Sequence, residues 1–168
     1  MNINYRTLKI IDAEKIRRYR NNQLKILRQN TIIKKQDQLK YFKKNILKKN
    51  PKLELFAIEM DQIFIGYGGL VNISNHFETA EVSFLVDNNI NHRSKIYEKI
   101  FVNFLRFIKK YSFKKKKLRR LYTETYSFRK KHIKILENFG FKLEGIMRKH
   151  VIKNKKIYNS LIHGMLKN

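Results

Sequence analysis

Apolar and polar positions alternate at the start of the chain and then change to helical spacing. Residues 5–11 (Tyr-Arg-Thr-Leu-Lys-Ile-Ile) are rich in β-branched side chains and alternate in polarity, which predicts a strand. Asp12 follows as the predicted N-cap of a helix that runs towards Arg20. Apolar residues recur at helical spacing between positions 39 and 46, which predicts a second helix that ends before Pro51.

Three β-rich runs occupy the middle of the chain. They cover residues 53–60, 63–73 and 79–86, and short polar stretches such as Asp61-Gln62 separate them. This spacing predicts an antiparallel meander.

A long amphipathic helix comes next. Five apolar residues at helical spacing between positions 97 and 111 mark one face of it. The helix is predicted to start near Ser94 and to stop before the lysine run at 114–117, which we interpret as a loop.

The last part of the chain predicts three strands and one helix. Residues 118–126 form the first strand, and the following apolar stripe indicates a helix capped by Ser127 and ended by Gly140. The final strands are predicted over residues 142–152 and 157–166.

The predicted elements therefore follow the order β-α-α-β-β-β-α-β-α-β-β, an α+β arrangement of seven strands and about four helices. The chain of 168 residues is an ordinary length for one domain, and two separate cores would each be small. We expect one domain over residues 1–168.

Charge points towards an anionic partner, although composition offers a second explanation. Lys and Arg number 39 against 13 Asp and Glu, which gives a net charge of +26. Such an excess favours nucleic acid or an anionic ligand. Lys, Asn and Ile nevertheless occupy 28, 17 and 22 positions while Ala occupies three, a bias that an AT-rich genome produces without selection for binding. Both explanations remain open.

Several classes are excluded or disfavoured. The chain has no cysteine, which excludes disulfides, thiol catalysis and cysteine-based zinc sites. The five histidines show no ligand spacing, so we expect no metal. No apolar run approaches the roughly 20 residues that span a bilayer, so we expect a cytoplasmic protein without membrane insertion. The oligomeric state stays open, a homodimer included.

Several segments, together with the order of elements, resemble the GNAT family of N-acetyltransferases over nearly the whole chain. Residues 136–148 (Leu-Glu-Asn-Phe-Gly-Phe-Lys-Leu-Glu-Gly-Ile-Met-Arg) are similar to the family's helix-to-strand signature. Residues 64–71 and 80–86 resemble strands three and four of the branch that contains ribosomal-protein and amino-sugar acetyltransferases. The resemblance implies a central mixed, mostly antiparallel seven-stranded sheet flanked by helices.

The front end is similar to one module in particular. Arg18-Tyr-Arg-Asn, Leu27-Arg-Gln-Asn and Gln38-Leu-Lys-Tyr-Phe resemble the Trp-Arg-Asn module of enzymes that acetylate nucleotide-linked amino sugars, with Tyr19 in place of the usual Trp. The resemblance implies a nucleotide-sugar amine as acceptor and acetyl-CoA as donor. The residues expected to bind this acceptor are Arg20, Asn21, Arg28, Gln29 and Tyr67.

Direct acetyl transfer requires a base, because a protonated amine cannot attack a thioester. Glu81 is the leading candidate for the base, since it lies in the segment that resembles the family's fourth strand, where acidic residues have this role in several branches. Glu59 is the weaker candidate. Tyr126, at the end of the next predicted strand, is a candidate proton donor to the departing thiolate, although a structural role is the commoner one for such a tyrosine.

The family places the cofactor's pyrophosphate where the fourth strand leads into the long helix. Its Gln/Arg-x-x-Gly-x-Gly/Ala motif corresponds to residues 92–97 here, and Ile96 stands where the first glycine would be. Charge and hydroxyl donors are expected to compensate. Arg129 stands where the family often has Asn near the start of the last helix. The expected cofactor-binding residues are Phe84, Leu85, Val86, Arg93, Ser94, Lys95 and Arg129.

Two other functions compete with acetylation of an amino sugar. The ribosomal-protein branch acetylates protein N-termini, but basic ribosomal tails would be repelled by a chain of charge +26. The other is a nucleic-acid-binding module on a decayed acetyltransferase fold, because Lys109, Lys110, 114–117, Arg119 and Arg120 are clustered around aromatic residues. Weak nucleic-acid or anion binding is thus a further expectation.

Overall fold

A computed structural model of the chain describes residues 1–167 and contains, within them, seven β-strands and four α-helices in the predicted order. A short 3₁₀ turn covers Leu24–Ile26, and single π turns cover Lys43–Leu47 and Tyr111–Lys115. The elements are β1 (Ile3–Thr7), α1 (Asp12–Asn21), α2 (Lys35–Phe42), β2 (Leu53–Met60), β3 (Ile63–Ser74), β4 (Thr79–Val86), α3 (Lys95–Lys110), β5 (Arg120–Tyr126), α4 (Lys130–Phe139), β6 (Lys142–Lys153) and β7 (Lys156–Leu166).

The strands form one mixed sheet in the order β1-β2-β3-β4-β5-β7-β6. The β1–β2, β2–β3, β5–β7 and β6–β7 pairs are antiparallel, and β4 pairs with β5 in parallel. The predicted α+β class is confirmed. Contacts group the chain into two compact units: unit 1 comprises residues 1–72 and 83–90, and unit 2 comprises residues 73–82 and those from 91 onward. A single domain over residues 1–168 stays a prediction.

Unit 1 is built around a core supplied by both helices and strands. Ala13 and Ile16 of α1, Phe42 of α2, and Ala57 and Tyr67 of the strands are all buried in it. Full burial of an aliphatic or aromatic side chain contributes about 1.5–3 kcal/mol, so the helical spacing of these residues determines which helix faces pack inward.

Unit 2 has its own core, in which α3 and α4 are the main helices. The predicted apolar face of α3 is confirmed, since Tyr97, Phe101, Phe104 and Ile108 are almost completely buried. The stripe of α4 is buried in the same way, from His132 to Leu136.

Two helix caps differ from their predictions. Asp12 is the first helical residue of α1, not its N-cap, because its carboxylate is used elsewhere: it accepts hydrogen bonds from Arg6 and from the Lys9 backbone N–H. Ser127 does not cap α4 either. That helix begins after Arg129, which occupies the N-cap position without a side-chain cap bond, and the chain reaches it through a turn in which the Arg129 N–H bonds the Tyr126 carbonyl.

Other predicted boundaries hold or shift slightly. β1 covers residues 3–7, earlier than predicted, and β5 begins at Arg120. The lysine run is not wholly a loop, because a π turn extends α3 through Lys115. Gly140 ends α4 with φ 108°, the left-handed conformation that glycine adopts most easily, as predicted.

Candidate active site

The N-terminus of α3 in unit 2 is held by a tightly bonded turn. The Ser94 hydroxyl accepts the Tyr97 N–H at 3.1 Å and donates to the Asn91 carbonyl at 2.7 Å. Asn91 also accepts the Ser94 N–H at its carbonyl and the Arg93 N–H at its side chain, both at 2.9 Å. A phosphate contact from Ser94 would therefore require Asn91 to release a hydrogen bond.

The same helix end has the electrostatics that an anion requires. The first-turn N–H groups of a helix and its dipole favour negative charge, and the predicted contacts Arg93 and Lys95 are exposed beside it. Ile96, which replaces the family glycine, is 52% exposed and so is not part of the core. The charge of these donors suits the pyrophosphate of acetyl-CoA. Ile96 still differs from the glycine that the family has at this position.

Arg129 reaches this helix end through a short chain of hydrogen bonds. Its Nη2 donates to the Tyr97 phenol oxygen at 3.3 Å, and that phenol lies 2.7 Å from Nδ1 of His132. Burial, and then the Arg129 charge, hold the pKa of His132 well below its usual 6.5, and they lower the pKa of His92 to about 4. Both imidazoles are therefore neutral at pH 7, which leaves Arg129 as the positive charge of this cluster. The His132 ring stacks on the Phe101 ring, with the two ring centres 4.2 Å apart.

Glu81 lies at the end of the parallel ladder in unit 2. The ladder pairs Thr79, Ala80 and Glu81 of β4 with Arg120, Leu121 and Tyr122 of β5 and does not extend beyond them, although β5 continues to Tyr126. Glu81 is only 7% exposed. Glu81 is thus a buried carboxylate in the last residue pair of the parallel β4–β5 ladder.

Tyr126, the second predicted catalytic residue, ends β5. It is buried and pairs with Ser160 of β7. The Lys153 ammonium lies 5.8 Å from the centre of its ring, which places a positive charge over the aromatic face.

The other predicted cofactor residues of β4 belong to unit 1. Leu85 and Val86 are buried, and Phe84 is half-buried. Gly66 of β3 allows the backbones of β3 and β4 to lie close together, because a Cβ at that position would lie 2.4 Å from the Leu85 carbonyl oxygen. The Val86 carbonyl accepts a hydrogen bond from Gln23 at 2.8 Å, a buried side chain that the sequence reading missed.

Unit 1 contains a cavity of about 350 Å³ between its helices and strands. Its apolar lining comes from α1, α2, β2 and β3, which bury side chains such as Ile16 and Phe42. The polar side chains of the lining are Arg20, Asp37, Gln38, Tyr41, Tyr67 and Ser83. This volume suits a small molecule.

Four of the five predicted acceptor residues are joined by direct hydrogen bonds. Arg20 donates from Nη1 to the Tyr67 hydroxyl and from Nε to Gln29, both at 2.9 Å. Gln29 in turn donates to Asn21 at 3.0 Å, and Asn21 bonds both the N–H and the carbonyl of Ile33. Arg20 and Tyr67 line the cavity, whereas Asn21 and Gln29 fix the loop behind Arg20. The fifth, Arg28, is exposed.

Four polar residues of the cavity received no site role from the sequence: Ser83 of β4 and three residues of α2. Asp37, Gln38 and Tyr41 follow one another on one face of α2, at relative positions i, i+1 and i+4. That spacing was a usable signal. Burial raises the pKa of Tyr41, so its hydroxyl is protonated at neutral pH.

Two kinds of feature are absent from the residues that the structure describes. Residues 1–167 contain no group of three or more His, Asp or Glu side chains arranged to hold a metal ion. No helix within the same range is long and apolar enough to cross a membrane.

A mixed sheet whose parallel strands β4 and β5 are connected through α3, with exposed cations at the N-terminus of that helix, is the architecture of a coenzyme-A-dependent acyltransferase. A family model described as an acetyltransferase (GNAT) domain matches residues 5–162, so the chain belongs to the GNAT family. It is an N-acetyltransferase, and acetyl-CoA is its acetyl donor.

Solved structures agree on the fold. Mutant forms of the spermidine/spermine N-acetyltransferase SpeG from Vibrio cholerae are similar at a TM-score of 0.83 and 20% identity, over 98% of this chain and 93% of that one. The spermidine N-acetyltransferase of Vibrio cholerae in complex with CoA and spermine is similar at a TM-score of 0.84 and 18% identity, over 98% of this chain and 95% of that one.

A GNAT-family acetyltransferase from Bacillus anthracis gives a TM-score of 0.75 at 16% identity, over 99% of this chain and 95% of that one. No curated protein matches the chain. At such low identities the similarity of structure establishes the fold and leaves the acceptor open.

Proposed function

We propose that this N-acetyltransferase acetylates the primary amine of a small molecule that also carries an anionic group, and that the acceptor is a nucleotide-linked amino sugar. The observation that carries the proposal is Arg20. Its guanidinium lines the cavity, bonds Tyr67 and Gln29, and forms no ion pair within residues 1–167. Guanidinium groups bind phosphate and carboxylate in a two-pronged geometry, so a phosphate of the acceptor would supply the missing counter-charge.

The electrostatics of Arg20 keep it available for such a ligand. Burial by itself lowers the pKa of Arg20, but the neighbouring Tyr67 phenol raises it overall. The side chain is therefore a permanent cation in the cavity wall. Arg20 is half-buried and forms no ion pair within residues 1–167, so hydrogen bonds or a ligand must offset the hydration that it has lost.

In the proposed reaction, Glu81 removes a proton from the acceptor's ammonium group. The free amine nitrogen attacks the thioester carbonyl carbon to form a tetrahedral oxyanion. The oxyanion collapses, the carbon–sulfur bond breaks, and the nitrogen loses its second proton to solvent, to which Glu81 also releases the proton it took. The CoA thiolate then takes a proton from Tyr126, which regains one from solvent. Glu59, the alternative base, accepts a hydrogen bond from Arg6 at 2.6 Å.

The assignment of Phe84, Leu85 and Val86 of β4 to cofactor binding stays a prediction from the sequence. The phosphates of the cofactor are proposed to lie at the start of α3. There Arg93, Lys95 and Arg129 supply positive charge. We propose that the reaction takes place in the cytoplasm.

A polyamine acceptor, which the Vibrio cholerae enzymes take, is less suited to this chain. A polycation needs several carboxylates, and Asp37 is the one carboxylate among the cavity's lining residues, opposed by Arg20. The net charge of +26 adds long-range repulsion of cations. The same repulsion disfavours the basic N-termini of ribosomal proteins.

The test is a thiol-release assay with acetyl-CoA and three acceptor classes: nucleotide-linked 4-amino sugars, spermidine, and N-terminal peptides. We expect kcat/KM to be highest for a nucleotide-linked sugar, and we expect Arg20→Ala to remove that preference. Preference for spermidine or a peptide would contradict the proposal. If no acceptor led to thiol release although calorimetry showed acetyl-CoA binding, that result would also contradict the proposal.

A further inference from the structure

The solvent-facing side of α3 is almost entirely cationic. Six of its residues are exposed, and all except Ile96 are Lys or Arg. At 100° per residue, the four from the second turn onward share an arc of about 100° and extend over about 16 Å of helix. We call these four residues the basic stripe; they are Lys99, Arg106, Lys109 and Lys110.

The basic stripe is not neutralised by neighbouring acids. Glu98, the only acidic residue of α3, is paired with Lys131 of α4. None of the four stripe residues takes part in an ion pair in the part of the chain that the structure describes, and Lys109 alone contacts a ring, 6.0 Å from the centre of Phe139. The exposed lysines at 114–117 continue the charge past the end of the helix.

Helix stability explains part of this charge only. Cations in the last turn interact favourably with the helix dipole, and this accounts for Lys109 and Lys110. It does not account for Lys99, which lies in the second turn, near the positive end of that dipole. The helix dipole therefore leaves Lys99 and Arg106 unexplained.

We infer that the basic stripe binds the phosphate backbone of a nucleic-acid duplex, independently of the acetyl-transfer site. A straight, rigid row of long cationic side chains matches the regular array of phosphates along a duplex. Single-stranded nucleic acid needs exposed aromatic rings on which bases stack. The nearby rings of Phe107 and Tyr111 are half-buried and stack on each other at 6.0 Å, so the stripe offers phosphate contacts and no stacking surface.

An anionic membrane is the less suitable partner. A helix that lies in a membrane surface inserts an apolar face next to its cationic residues. In α3 that face is in the protein core, through residues such as Phe101 and Phe104. Anionic vesicles are therefore included in the test as the competing ligand.

The experiment compares two variants that each lose four positive charges. The stripe variant carries Lys99→Gln, Arg106→Gln, Lys109→Gln and Lys110→Gln. The matched control removes four exposed lysines of unit 1 through the substitutions Lys43→Gln, Lys44→Gln, Lys48→Gln and Lys49→Gln. Binding of a labelled 20-base-pair duplex is measured by fluorescence anisotropy from 50 to 300 mM salt. Thermal unfolding and acetyl-CoA affinity verify that each variant is folded.

We expect the stripe variant to lose at least about tenfold in duplex affinity, and its salt slope to fall by about 3 to 4, since each phosphate contact contributes roughly 0.9 to that slope. The control should lose less than about threefold. Equal losses in both variants would show that net charge alone attracts the duplex, and would overturn the inference. Absence of binding by the unmodified protein at 50 mM salt would overturn it too, as would stronger binding of single strands or of anionic vesicles.

Discussion

The Nη1 atom of Arg20 donates a hydrogen bond to the phenol oxygen of Tyr67 at 2.9 Å, and this contact joins α1 to β3 across 47 positions of the chain. Gln29 fixes the same guanidinium from the loop side through Nε. A guanidinium has five N–H donors, and those not used by Tyr67 and Gln29 have no acceptor among residues 1–167. They are the donors that a ligand in the cavity would use.

Arg20→Ala should raise KM for the anionic acceptor by roughly 10- to 100-fold, which corresponds to the loss of a charge-assisted hydrogen bond of about 1.5–3 kcal/mol. The change in kcat should be smaller, since Arg20 is proposed to bind the acceptor and not the reacting atoms. Steady-state kinetics with varied acceptor measure both parameters.

Arg20→Lys is the control for that prediction. It retains the charge but loses the fork that bonds two partners at once, so we expect an intermediate KM. A variant Arg20→Ala that affected only kcat would contradict a binding role.

Glu81→Gln should lower kcat on the order of 10²-fold and leave the affinity for acetyl-CoA nearly unchanged. Glutamine preserves the shape of the side chain but cannot accept the amine's proton. Turnover from pH 6 to 9 and calorimetry with acetyl-CoA separate the two effects. Full activity of Glu81→Gln over that pH range would transfer the role of base to Glu59, to water or to the acceptor itself.

Arg93→Ala and Arg129→Ala should each weaken acetyl-CoA binding by roughly 10- to 100-fold, while turnover at saturating cofactor is retained. Calorimetry measures the affinity. Arg148→Ala, an exposed position of β6, is the matched control and should change it less than twofold. Because Arg129 also bonds the Tyr97 hydroxyl, Tyr97→Phe shows how much of the effect depends on that hydroxyl, which contacts both Arg129 and His132.

The Arg6–Asp12 ion pair should make the free energy of unfolding depend on pH in the acid range. Burial by itself raises the pKa of Asp12, but hydrogen bonds from Arg6 and the Lys9 N–H lower it below its usual value of 3.8. When the pKa of a carboxyl group is lower in the folded state than in the unfolded state, its ionisation stabilises the folded protein at pH values above the unfolded-state pKa. That contribution is lost as the pH falls through the folded-state pKa. The free energy of unfolding should therefore decrease below about pH 4.

Asp12→Asn tests this relation. It should reduce the free energy of unfolding by about 2 kcal/mol at pH 7 and flatten its dependence on pH below 4. Urea denaturation at several pH values gives both quantities. Asp61→Asn changes an exposed carboxylate and serves as the control. An equal acid dependence in Asp12→Asn and in the unmodified protein would remove Asp12 as the cause.

Gly66→Ala should destabilise unit 1 by about 2 kcal/mol or more, because its Cβ would lie 2.4 Å from the Leu85 carbonyl oxygen and 2.8 Å from the Val86 Cα, both of them backbone atoms. Gly145→Ala is the counterpart in β6. No atom lies within 4 Å of its added Cβ, so a change within about 0.5 kcal/mol is expected. Thermal unfolding of the two variants provides the comparison.

Local patterns predicted most of the elements. The bounds of β2 and β4, the Ser94 cap of α3 and the Gly140 stop of α4 follow from periodicity and from residues that act on their immediate neighbours. The same kind of evidence failed at Asp12, where a partner six residues away determines what the carboxylate bonds. It failed again at Ser127, where a backbone turn delays the start of α4.

The sequence by itself determined the order of the elements and the buried faces of α3 and α4, because residue types within one or two turns of chain encode each of them. It also determined the membership in the GNAT family, through a pattern that covers residues 5–162. It also marked Arg20 and Tyr67 as separate candidates. Only the tertiary structure joined them, together with Tyr41, around one cavity. Their contact depends on how α1 and α2 pack on β3, and packing brings together residues whose separation along the chain carries no periodic signal.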